Sequence, residues 1–268
     1  MNKEDLVSVI MPTYNAGKYL ADSINSILNQ SYKNLELLIT DDASTDPTTL
    51  QLLQEFASKD YRVDILYLKE NHGAGYARNQ SIERAKGRYI AFCDSDDRWT
   101  TDKLEKQIAF MNKKKCALSC ASYIIFDGET QNEIGFCTAP KKITYGMMKR
   151  DNKVGCLTAI YDVQMLGRKF FMPTIRKRQD WALFLQIIRE CKVCYAYPDK
   201  PLAYYCMRRN SISSNKMSLM KYNIAVYKEI LGFHPIKANL YFFTLFLPTY
   251  GAKILKRKFD SYTFIHQK

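Results

Sequence analysis

The sequence predicts an α/β fold in which helices flank a mostly parallel, doubly wound sheet. In residues 1–97, short apolar runs rich in β-branched residues alternate with segments whose apolar residues recur at helical spacing. Polar and often acidic loops follow the apolar runs, as they do at the carboxyl edge of such a sheet. The chain has 268 residues, 47% of them hydrophobic, which is enough for one large domain or two closely associated halves.

The first strand and helix have the clearest patterns. Leu6–Met11 is a short apolar run that Pro12 ends, which predicts a buried strand. In Ala16–Gln30 the apolar side chains recur every three or four residues, which predicts an amphipathic helix. Leu35–Thr40 is a second buried strand, and it stops at the acidic loop Asp41–Asp46.

The alternation continues to residue 97 and then becomes less regular. The same patterns predict further helices at Thr48–Ser58 and Gly75–Ala85 and further strands at Val63–Leu68 and Gly87–Cys93. Beyond residue 97 they predict a helix at Leu104–Asn112, a strand at Ala117–Phe126 and a helix at Trp181–Arg189. We expect this second half to pack onto the same sheet.

Charge is distributed unevenly along the chain. The formal net charge is +13, but residues 1–97 carry −5 and residues 98–268 carry +18. A basic surface favours nucleic acid, anionic lipid or phosphorylated substrates as partners. Nucleic acid is the weakest of these hypotheses, because the acidic loops of the first half would repel phosphate unless a metal intervened.

The C-terminal tail, residues 216–268, combines basic and aromatic side chains. It has nine basic and two acidic residues around the aromatic stretch Asn239–Gly251. One hypothesis is that the tail lies at the interface of an anionic membrane, with four basic residues near the head groups: Lys253, Lys256, Arg257 and Lys258. The alternative is a helical hairpin that closes the core.

Two features of the sequence predict a cytoplasmic protein. No apolar run reaches the roughly 20 residues that a spanning helix needs, and Met1–Asp5 lacks the pattern of a secretory leader.

The eight cysteines have irregular spacing, although Cys116 lies near Cys120 and Cys191 near Cys194. Zinc sites repeat tighter spacings, so we expect buried free thiols in a reducing compartment.

Asp94, Ser95 and Asp96 follow the predicted strand Gly87–Cys93. Carboxylates at the end of such a strand are hard oxygen ligands suited to Mg²⁺ or Mn²⁺. A cation there would neutralise a substrate diphosphate. The triplet also resembles the nucleophile motif of haloacid dehalogenase phosphohydrolases, in which Asp94 would attack phosphorus. Against that alternative, the motif usually opens its domain, whereas about 90 residues precede it here, and Asp97 stands where threonine is usual.

Two long runs carry a resemblance to a known family. They are VSVIMPTYNAGKYLADSINSILNQSYKNLELLITDDASTD, which begins at Val7, and KENHGAGYARNQSIERAKGRYIAFCDSDDRW, which begins at Lys69. Both resemble the inverting family-2 glycosyltransferases, which have the A-type nucleotide-sugar-binding fold. In the second half, RQDWALFLQI at Arg178–Ile187 is similar to the acidic motif on the acceptor side of that family.

The resemblance implies a role for each matching residue. Donor binding would involve Pro12, Tyr14, Asp42, Arg78, Asp94 and Ser95. Among these, Asp42 would accept a hydrogen bond from the base, and Arg78 would lie near the base or the diphosphate. Asp96 would ligate Mn²⁺ or Mg²⁺, and Asp180 would be the general base. Three neighbouring carboxylates have a simpler alternative as caps: Asp41 and Asp46 for the following helix, and Asp97 for the turn at Arg98.

One loop departs from the family pattern. Many relatives have a motif resembling Y-R-x-H-x-x-S, whereas Tyr205–Ser211 places Arg208 where histidine is often found. Arginine does not ligate metals but can bind a diphosphate with two hydrogen bonds. Arg208 and Arg209 are therefore further candidates for donor binding, with solvated surface charge as the alternative.

The resemblance implies a hexosyltransferase that inverts the anomeric carbon of a nucleotide sugar, with UDP as the expected carrier. The acceptor would be a hydroxyl of a glycan or of an undecaprenyl-diphosphate-linked glycan, in the synthesis of a surface polysaccharide such as capsule or lipopolysaccharide. The basic second half fits an acceptor at the inner face of the membrane. We expect a catalytic domain at residues 1–215, with a nucleotide-sugar half (1–97) and an acceptor half (98–215), followed by the helical tail.

Overall fold

The computed structural model describes residues 5–208 and 216–266. In chain order its strands are β1 (Val7–Thr13), β2 (Leu35–Asp41), β3 (Val63–Tyr67), β4 (Tyr89–Phe92), β5 (Arg98–Trp99), β6 (Leu118–Ala121), β7 (Tyr123–Asp127), β8 (Glu133–Cys137), β9 (Lys142–Thr144), β10 (Ile160–Asp162), β11 (Val193–Tyr197) and β12 (Ala203–Met207). Its α-helices are α1 (Tyr19–Leu28), α2 (Pro47–Lys59), α3 (Ala74–Arg84), α4 (Lys103–Lys114), α5 (Tyr145–Arg150), α6 (Val163–Leu166), α7 (Gln179–Cys191), α8 (Lys216–Ala225), α9 (Pro235–Tyr241) and α10 (Leu247–His266).

An eight-stranded sheet in the order β3-β2-β1-β4-β10-β6-β11-β9 forms the centre of the protein. Its strands run parallel except β10, which is antiparallel to β4 and β6, and β9, which is antiparallel to β11. The predicted mostly parallel α/β sheet is therefore confirmed. The strands predicted in residues 1–97 form one side of this sheet, with boundaries that differ by at most two residues.

The central strands are apolar throughout because both faces of the sheet are covered. Val9 and Met11 of β1 point into a core shared with Leu20 and Ile24 of α1. Ile10, between them, points into the opposite core, which also contains much of α7 and part of the tail. Successive side chains of a strand face opposite sides, so a strand buried on both faces reads as an uninterrupted apolar run.

A second sheet of four strands, in the order β5-β12-β7-β8, comes entirely from the second half of the chain. The prediction of one strand over Ala117–Phe126 is wrong. The chain bends at Ser122, so that β6 joins the large sheet and β7 joins the small one. Hydrogen bonds from residues distant in the sequence fix the bend. Ser122 Oγ accepts the Ala139 N–H at 3.0 Å, and the Ser122 carbonyl accepts the Leu202 N–H at 3.1 Å. The second half therefore extends the large sheet and also builds another.

One side of the C-terminal tail packs into the core of the protein. From 235 to 266 the chain is helical, with a π-helical turn at Phe242–Phe246 between α9 and α10. Pro248 accounts for this turn, because proline has no N–H and its ring displaces the carbonyl four residues earlier. Tyr227, Phe242 and Phe246 are buried in the core that contains α7. The hypothesis of a helical closure of the core is thus confirmed for this side of the tail.

The other side of the tail exposes eight large apolar side chains, which we call the exposed tail face: Ile236, Leu240, Phe243, Leu247, Leu255, Phe259, Tyr262 and Ile265. They recur every three or four residues within each half of the helical stretch, so each half presents them on one side. Across residues 5–208 and 216–266, no helix is both long and apolar enough to cross a membrane.

All eight cysteines are free; five of them are buried, as expected, while Cys137, Cys156 and Cys191 are only partly buried. The two close pairs in the sequence meet in space, because β6 and β11 are neighbours. Cys194 Sγ lies 3.8 Å from Cys120 Sγ. Burial and the neighbouring thiols raise the pKa of Cys194. In the described part of the chain no group of three or more histidine, cysteine or acidic side chains is arranged to hold a metal ion by itself.

Candidate active site

Three loops converge at the carboxyl edge of the large sheet. They follow the parallel strands β1, β2 and β4, which are neighbours in the sheet. Among the described residues, those that the sequence predicts for donor binding lie in or beside these loops, apart from Arg78, which is in α3, and Arg208, which follows β12. Pro12 is buried within β1, opposite Thr40, whereas the side chain of Tyr14 beyond the strand is 51% exposed.

Asp42, which is buried, fixes the start of α3. Its Oδ1 accepts the His72 N–H at 2.8 Å and its Oδ2 accepts the Gly73 N–H at 2.7 Å. Gly73 has a φ of 88°, a conformation that glycine adopts without strain. Both carboxylate oxygens therefore accept hydrogen bonds from main-chain N–H groups. A nucleotide base that donates to Asp42 would have to share one of these two oxygens.

Asn15 joins the first loop to the second, a role that sequence analysis missed. Its side-chain Oδ1 accepts the N–H groups of Thr45 and Asp46 at 2.8 and 2.9 Å. Its φ is 45°, in the left-handed region that asparagine tolerates better than most residues. The signal for this role in the sequence was the position of Asn15, which follows the end of β1 and the aromatic residue Tyr14.

The two neighbouring aspartates of the second loop are caps. Asp46 is the N-cap of α2, where its Oδ2 accepts the Thr49 N–H at 2.8 Å. Asp41 accepts the Ser44 N–H at 3.0 Å and so closes the turn before that helix. The capping hypothesis is confirmed for Asp46, while Asp41 caps a turn instead of the helix itself.

Arg78 and Asp94 form an ion pair across the edge of the sheet. The guanidinium is almost fully buried, and its Nε has no hydrogen-bond partner among the residues that the structure describes. Burial opposes the charge of Arg78, but the charge and hydrogen bond of Asp94, together with other nearby negative groups, outweigh it and raise the pKa of Arg78. This pair keeps a cation at the place where the resemblance expects the base or the diphosphate of the donor.

Asp96 makes a second ion pair, with Arg208 Nη2 at 2.5 Å. Burial raises the pKa of Asp96, and the positive charge of Arg208 partly offsets that effect. The Arg208 guanidinium also lies over the ring of Tyr19, at 5.2 Å from its centroid. Ser95 lies between the two paired aspartates in the same turn, and Arg209 lies outside the described residues.

Asp97 is structural. It is buried, and its Oδ1 accepts the Cys206 N–H of β12 at 2.9 Å. Burial, together with the charges of Asp96 and Asp94, raises the pKa of Asp97 well above its usual range. The hypothesis that Asp97 caps the turn at Arg98 is therefore wrong, because its carboxyl group joins the loop after β4 to the second sheet.

Asp180 lies in the first turn of α7, where its Oδ2 accepts a hydrogen bond from Asn152 Nδ2 at 2.9 Å. Its negative charge contributes to the raised pKa of Arg78. Burial is the main cause that raises the pKa of the Cys156 thiol, and the charges of Arg78, Asp94 and Asp180 also act on it. Asp180 is thus close enough to the donor residue Arg78 and to Cys156, at the start of the 3₁₀ turn, for its charge to act on both.

Few side chains at this site could ligate a cation. Asp94 and Asp96 supply hard oxygen atoms, and each is paired with an arginine. Mg²⁺ and similar ions are commonly held by one or two carboxylates, with phosphate oxygens and waters completing the shell. The residues present therefore fit a divalent cation whose coordination a bound diphosphate would complete.

A hairpin loop of the second sheet borders the site, and sequence analysis did not identify it. Glu129, in the turn between β7 and β8, accepts hydrogen bonds from Lys18 Nζ at 2.9 Å and from the Tyr19 hydroxyl at 2.8 Å. Since Tyr19 also contacts Arg208, this turn links the first loop to the second half of the chain.

Comparison with known proteins identifies the family of the chain. The profile of glycosyl transferase family 2 matches residues 8–171. TuaG of Bacillus subtilis, whose name assigns it to teichuronic acid biosynthesis, is 42% identical over 89% of this chain and 93% of its own. WfgD of Escherichia coli, a UDP-Glc:α-D-GlcNAc-diphosphoundecaprenol β-1,3-glucosyltransferase, is 38% identical over 81% of this chain and 83% of its own.

Solved structures share the fold at low sequence identity. TarS of S. aureus in complex with UDP-GlcNAc has a TM-score of 0.66 and 21% identity, over 88% of this chain and 70% of that one. The mannosyltransferase PcManGT from Pyrobaculum calidifontis, in complex with GDP-Man and Mn²⁺, has a TM-score of 0.62 and 16% identity, over 95% of this chain and 75% of that one. The expected A-type fold is confirmed, and the family match supports sugar transfer over the phosphohydrolase and nucleic-acid hypotheses. The chain belongs to glycosyl transferase family 2.

Proposed function

We propose that the protein transfers a hexose from a UDP-sugar to a hydroxyl of an undecaprenyl-diphosphate-linked glycan, with inversion, in the synthesis of a surface polysaccharide. The observation that carries the proposal is the position of Asp180, an acceptor-side carboxylate held by Asn152 whose charge acts on Arg78 of the Arg78–Asp94 pair. WfgD and WfaP, both named as glucosyltransferases acting on GlcNAc-diphosphoundecaprenol, support the choice of donor and acceptor.

On the donor side, Arg78 and Arg208 differ in how freely their side chains can move. Arg78 is buried and held by Asp94, whereas the Arg208 side chain is 37% exposed and follows the end of β12. Arg208 can therefore turn from Asp96 to the diphosphate and bind it with two hydrogen bonds. Asp96 would then be free to hold Mn²⁺ or Mg²⁺. When bound there, a divalent cation supplies a Lewis acid that neutralises charge on the leaving diphosphate.

On the acceptor side, Asp180 takes the proton of the attacking hydroxyl. A sugar hydroxyl is a weak nucleophile until a base removes its proton during attack. The oxygen attacks the anomeric carbon on the face opposite the diphosphate, the bond to the diphosphate breaks, and the configuration inverts. A single base is enough for this displacement, because the leaving group departs as a stabilised anion.

The proposal is tested by a transfer assay with the full chain, UDP-glucose and a detergent-solubilised polyprenyl-diphosphate GlcNAc acceptor, with Mn²⁺ or Mg²⁺. We expect a disaccharide product with a β-linkage, identified by the coupling constant of its anomeric proton. UDP-galactose and UDP-GlcNAc serve as alternative donors, and GDP-mannose is the matched control. An α-linked product would contradict inversion, and transfer from GDP-mannose alone would contradict the UDP assignment.

We also propose that the tail binds the anionic inner face of the cytoplasmic membrane, where such an acceptor resides. The exposed tail face presents eight large apolar side chains to solvent. Basic residues of the same helix, among them Lys256, Arg257 and Lys258, are exposed beside it. An apolar face with flanking basic charge is typical of helices that lie in the interface of an anionic bilayer.

Vesicle sedimentation tests the membrane proposal. We expect binding to phosphatidylglycerol vesicles that is much stronger than binding to phosphatidylcholine vesicles. Replacing Phe243 and Phe259 with serine should weaken it by about tenfold or more, because each phenylalanine buried in lipid contributes about 1.5–3 kcal/mol. Point substitution is preferable to truncation at residue 216, because the tail also carries the buried residues Phe242 and Phe246.

The matched control for the vesicle experiment is Tyr61→Ser, which removes an aromatic side chain that is 97% exposed and lies in the first half of the chain. It should leave vesicle binding unchanged. Equal binding by the double phenylalanine variant and the unmodified protein would contradict the membrane proposal.

A further inference from the structure

A lysine of the tail reaches into the acceptor half. Lys253, in α10, lies with its Nζ 3.0 Å from Asp151 Oδ2 and donates a hydrogen bond to the Asn152 carbonyl at 2.5 Å. Asp151 is buried, and its Oδ2 also pairs with Lys153 Nζ at 3.1 Å. The short segment 151–153, between α5 and the 3₁₀ turn, is therefore fixed by a contact from about 100 residues further along the chain.

Asn152 connects this contact to Asp180. Its side-chain Nδ2 donates to Asp180 Oδ2 at 2.9 Å, and its Oδ1 accepts the Val154 N–H at 3.1 Å. Both ends of the amide are thus engaged, which fixes its orientation. The carbonyl of Asn152 is held by Lys253, while its side chain holds the carboxylate of Asp180.

The tail also supports the residue after Asp180. Trp181 is buried, and its Nε1 donates to the Met148 carbonyl at 2.7 Å. Its ring lies 5.7 Å from that of Tyr227 and 5.6 Å from that of Phe246, measured between centroids, and both of these residues belong to the tail. The tail therefore supports the first turn of α7 directly, through packing at Trp181, and indirectly, through the Asn152 side chain that donates to Asp180.

We infer that Lys253 is a positioning residue for sugar transfer, because it orients Asp180 through Asn152 and so makes the tail part of the acceptor site. The inference rests on the proposed role of Asp180 as the base. It gives the tail a second role beside the proposed membrane contact, since one helix carries both the exposed tail face and the lysine that fixes the segment beside the base.

Substitution of the lysine tests the inference. Lys253→Met keeps the length and apolar stem of the side chain but removes the ammonium group. We expect kcat to fall by about tenfold to a hundredfold, because small misplacements of a reacting group have effects of that size. KM for the UDP-sugar should stay unchanged. Lys253→Arg, which can make the same two contacts, should restore most of the activity.

Two further variants separate positioning from a general loss of stability. Asn152→Ala should lower kcat by a similar factor, and combining it with Lys253→Met should add little, because both act through one hydrogen bond. Lys228→Met removes an exposed lysine from the same tail and should leave kcat unchanged. Additive losses, or a loss that Lys253→Arg does not reverse, would overturn the inference.

Hydrogen exchange provides a readout that does not depend on activity. Peptides covering residues 178–185 should exchange about fivefold faster in Lys253→Met and Asn152→Ala than in the unmodified chain, as expected when one hydrogen bond is lost. Unchanged exchange and unchanged kcat in both variants would overturn the inference. If Asp180→Asn itself keeps full activity, the assignment of the base fails instead, and the two failures are thus distinguished.

Discussion

Replacing Asp180 with asparagine should lower kcat by about 10³-fold, the middle of the range for losing a general base. The substitution keeps the size of the side chain, and its Oδ1 can still accept the hydrogen bond that Asn152 Nδ2 now donates at 2.9 Å. What it removes is the capacity to take a proton from the acceptor hydroxyl. Steady-state transfer from a UDP-sugar gives kcat, and calorimetric titration of UDP should show an unchanged dissociation constant.

The control for this prediction lies at the other end of the same helix. Glu190 of α7 makes a surface ion pair with Arg168 at 3.2 Å, with both side chains about half exposed. Glu190→Gln therefore removes one carboxylate from α7 and should leave kcat unchanged, because such pairs contribute little to stability. If Asp180→Asn retained more than a tenth of the activity, the base would have to be a different group.

Much of the donor half could be predicted from the sequence because local patterns determine it. The strands β1, β2 and β4 are buried on both faces, so their apolar runs are unmistakable and the loops that follow them are polar. Since parallel strands end at one edge, the sequence also predicts that Asp42, Asp94 and Asp96 lie near that edge.

The second half was harder to predict because contacts distant in the sequence determine it. Nothing within Ala117–Phe126 marks the bend at Ser122, whose partners Ala139 and Leu202 come from other strands. Asn152 has no motif, and it became a candidate only when the fold placed it against Asp180. The sequence of the tail fitted both core packing and membrane contact because its two sides differ. One side packs on Trp181, and the other side is exposed.

The two acidic residues of the turn after β4 should have separable roles, which Asp94→Asn and Asp96→Asn would reveal. Asp94 neutralises Arg78, which is almost fully buried. Removing that charge leaves a buried guanidinium without its counter-ion, which costs several kcal/mol when both partners are buried. Because the Asp94 side chain is 36% exposed, we expect a smaller loss, about 2 kcal/mol in the free energy of unfolding. That corresponds to a decrease of about 4–8 °C in Tm.

Asp96→Asn should instead change nucleotide binding more than stability. Its partner Arg208 has a side chain that is 37% exposed, so a released guanidinium can reach water. We expect a Tm within about 2 °C of the unmodified protein. UDP binding in Mn²⁺ should weaken by about tenfold, the effect of losing one strong charged contact, and should no longer respond to a chelator.

Thermal unfolding and UDP titration, each with Mn²⁺ and with chelator, measure both effects in the same two variants. The contrast between the two variants distinguishes the roles of the two carboxylates, which are two residues apart and each paired with an arginine. If Asp96→Asn lowered Tm as much as Asp94→Asn and left the effect of the chelator intact, Asp96 would be a structural counter-ion for Arg208 and the proposed cation ligand would be wrong. The expected contrast would show that Asp94 stabilises the fold as the counter-ion of buried Arg78 and that Asp96 acts in binding the donor diphosphate.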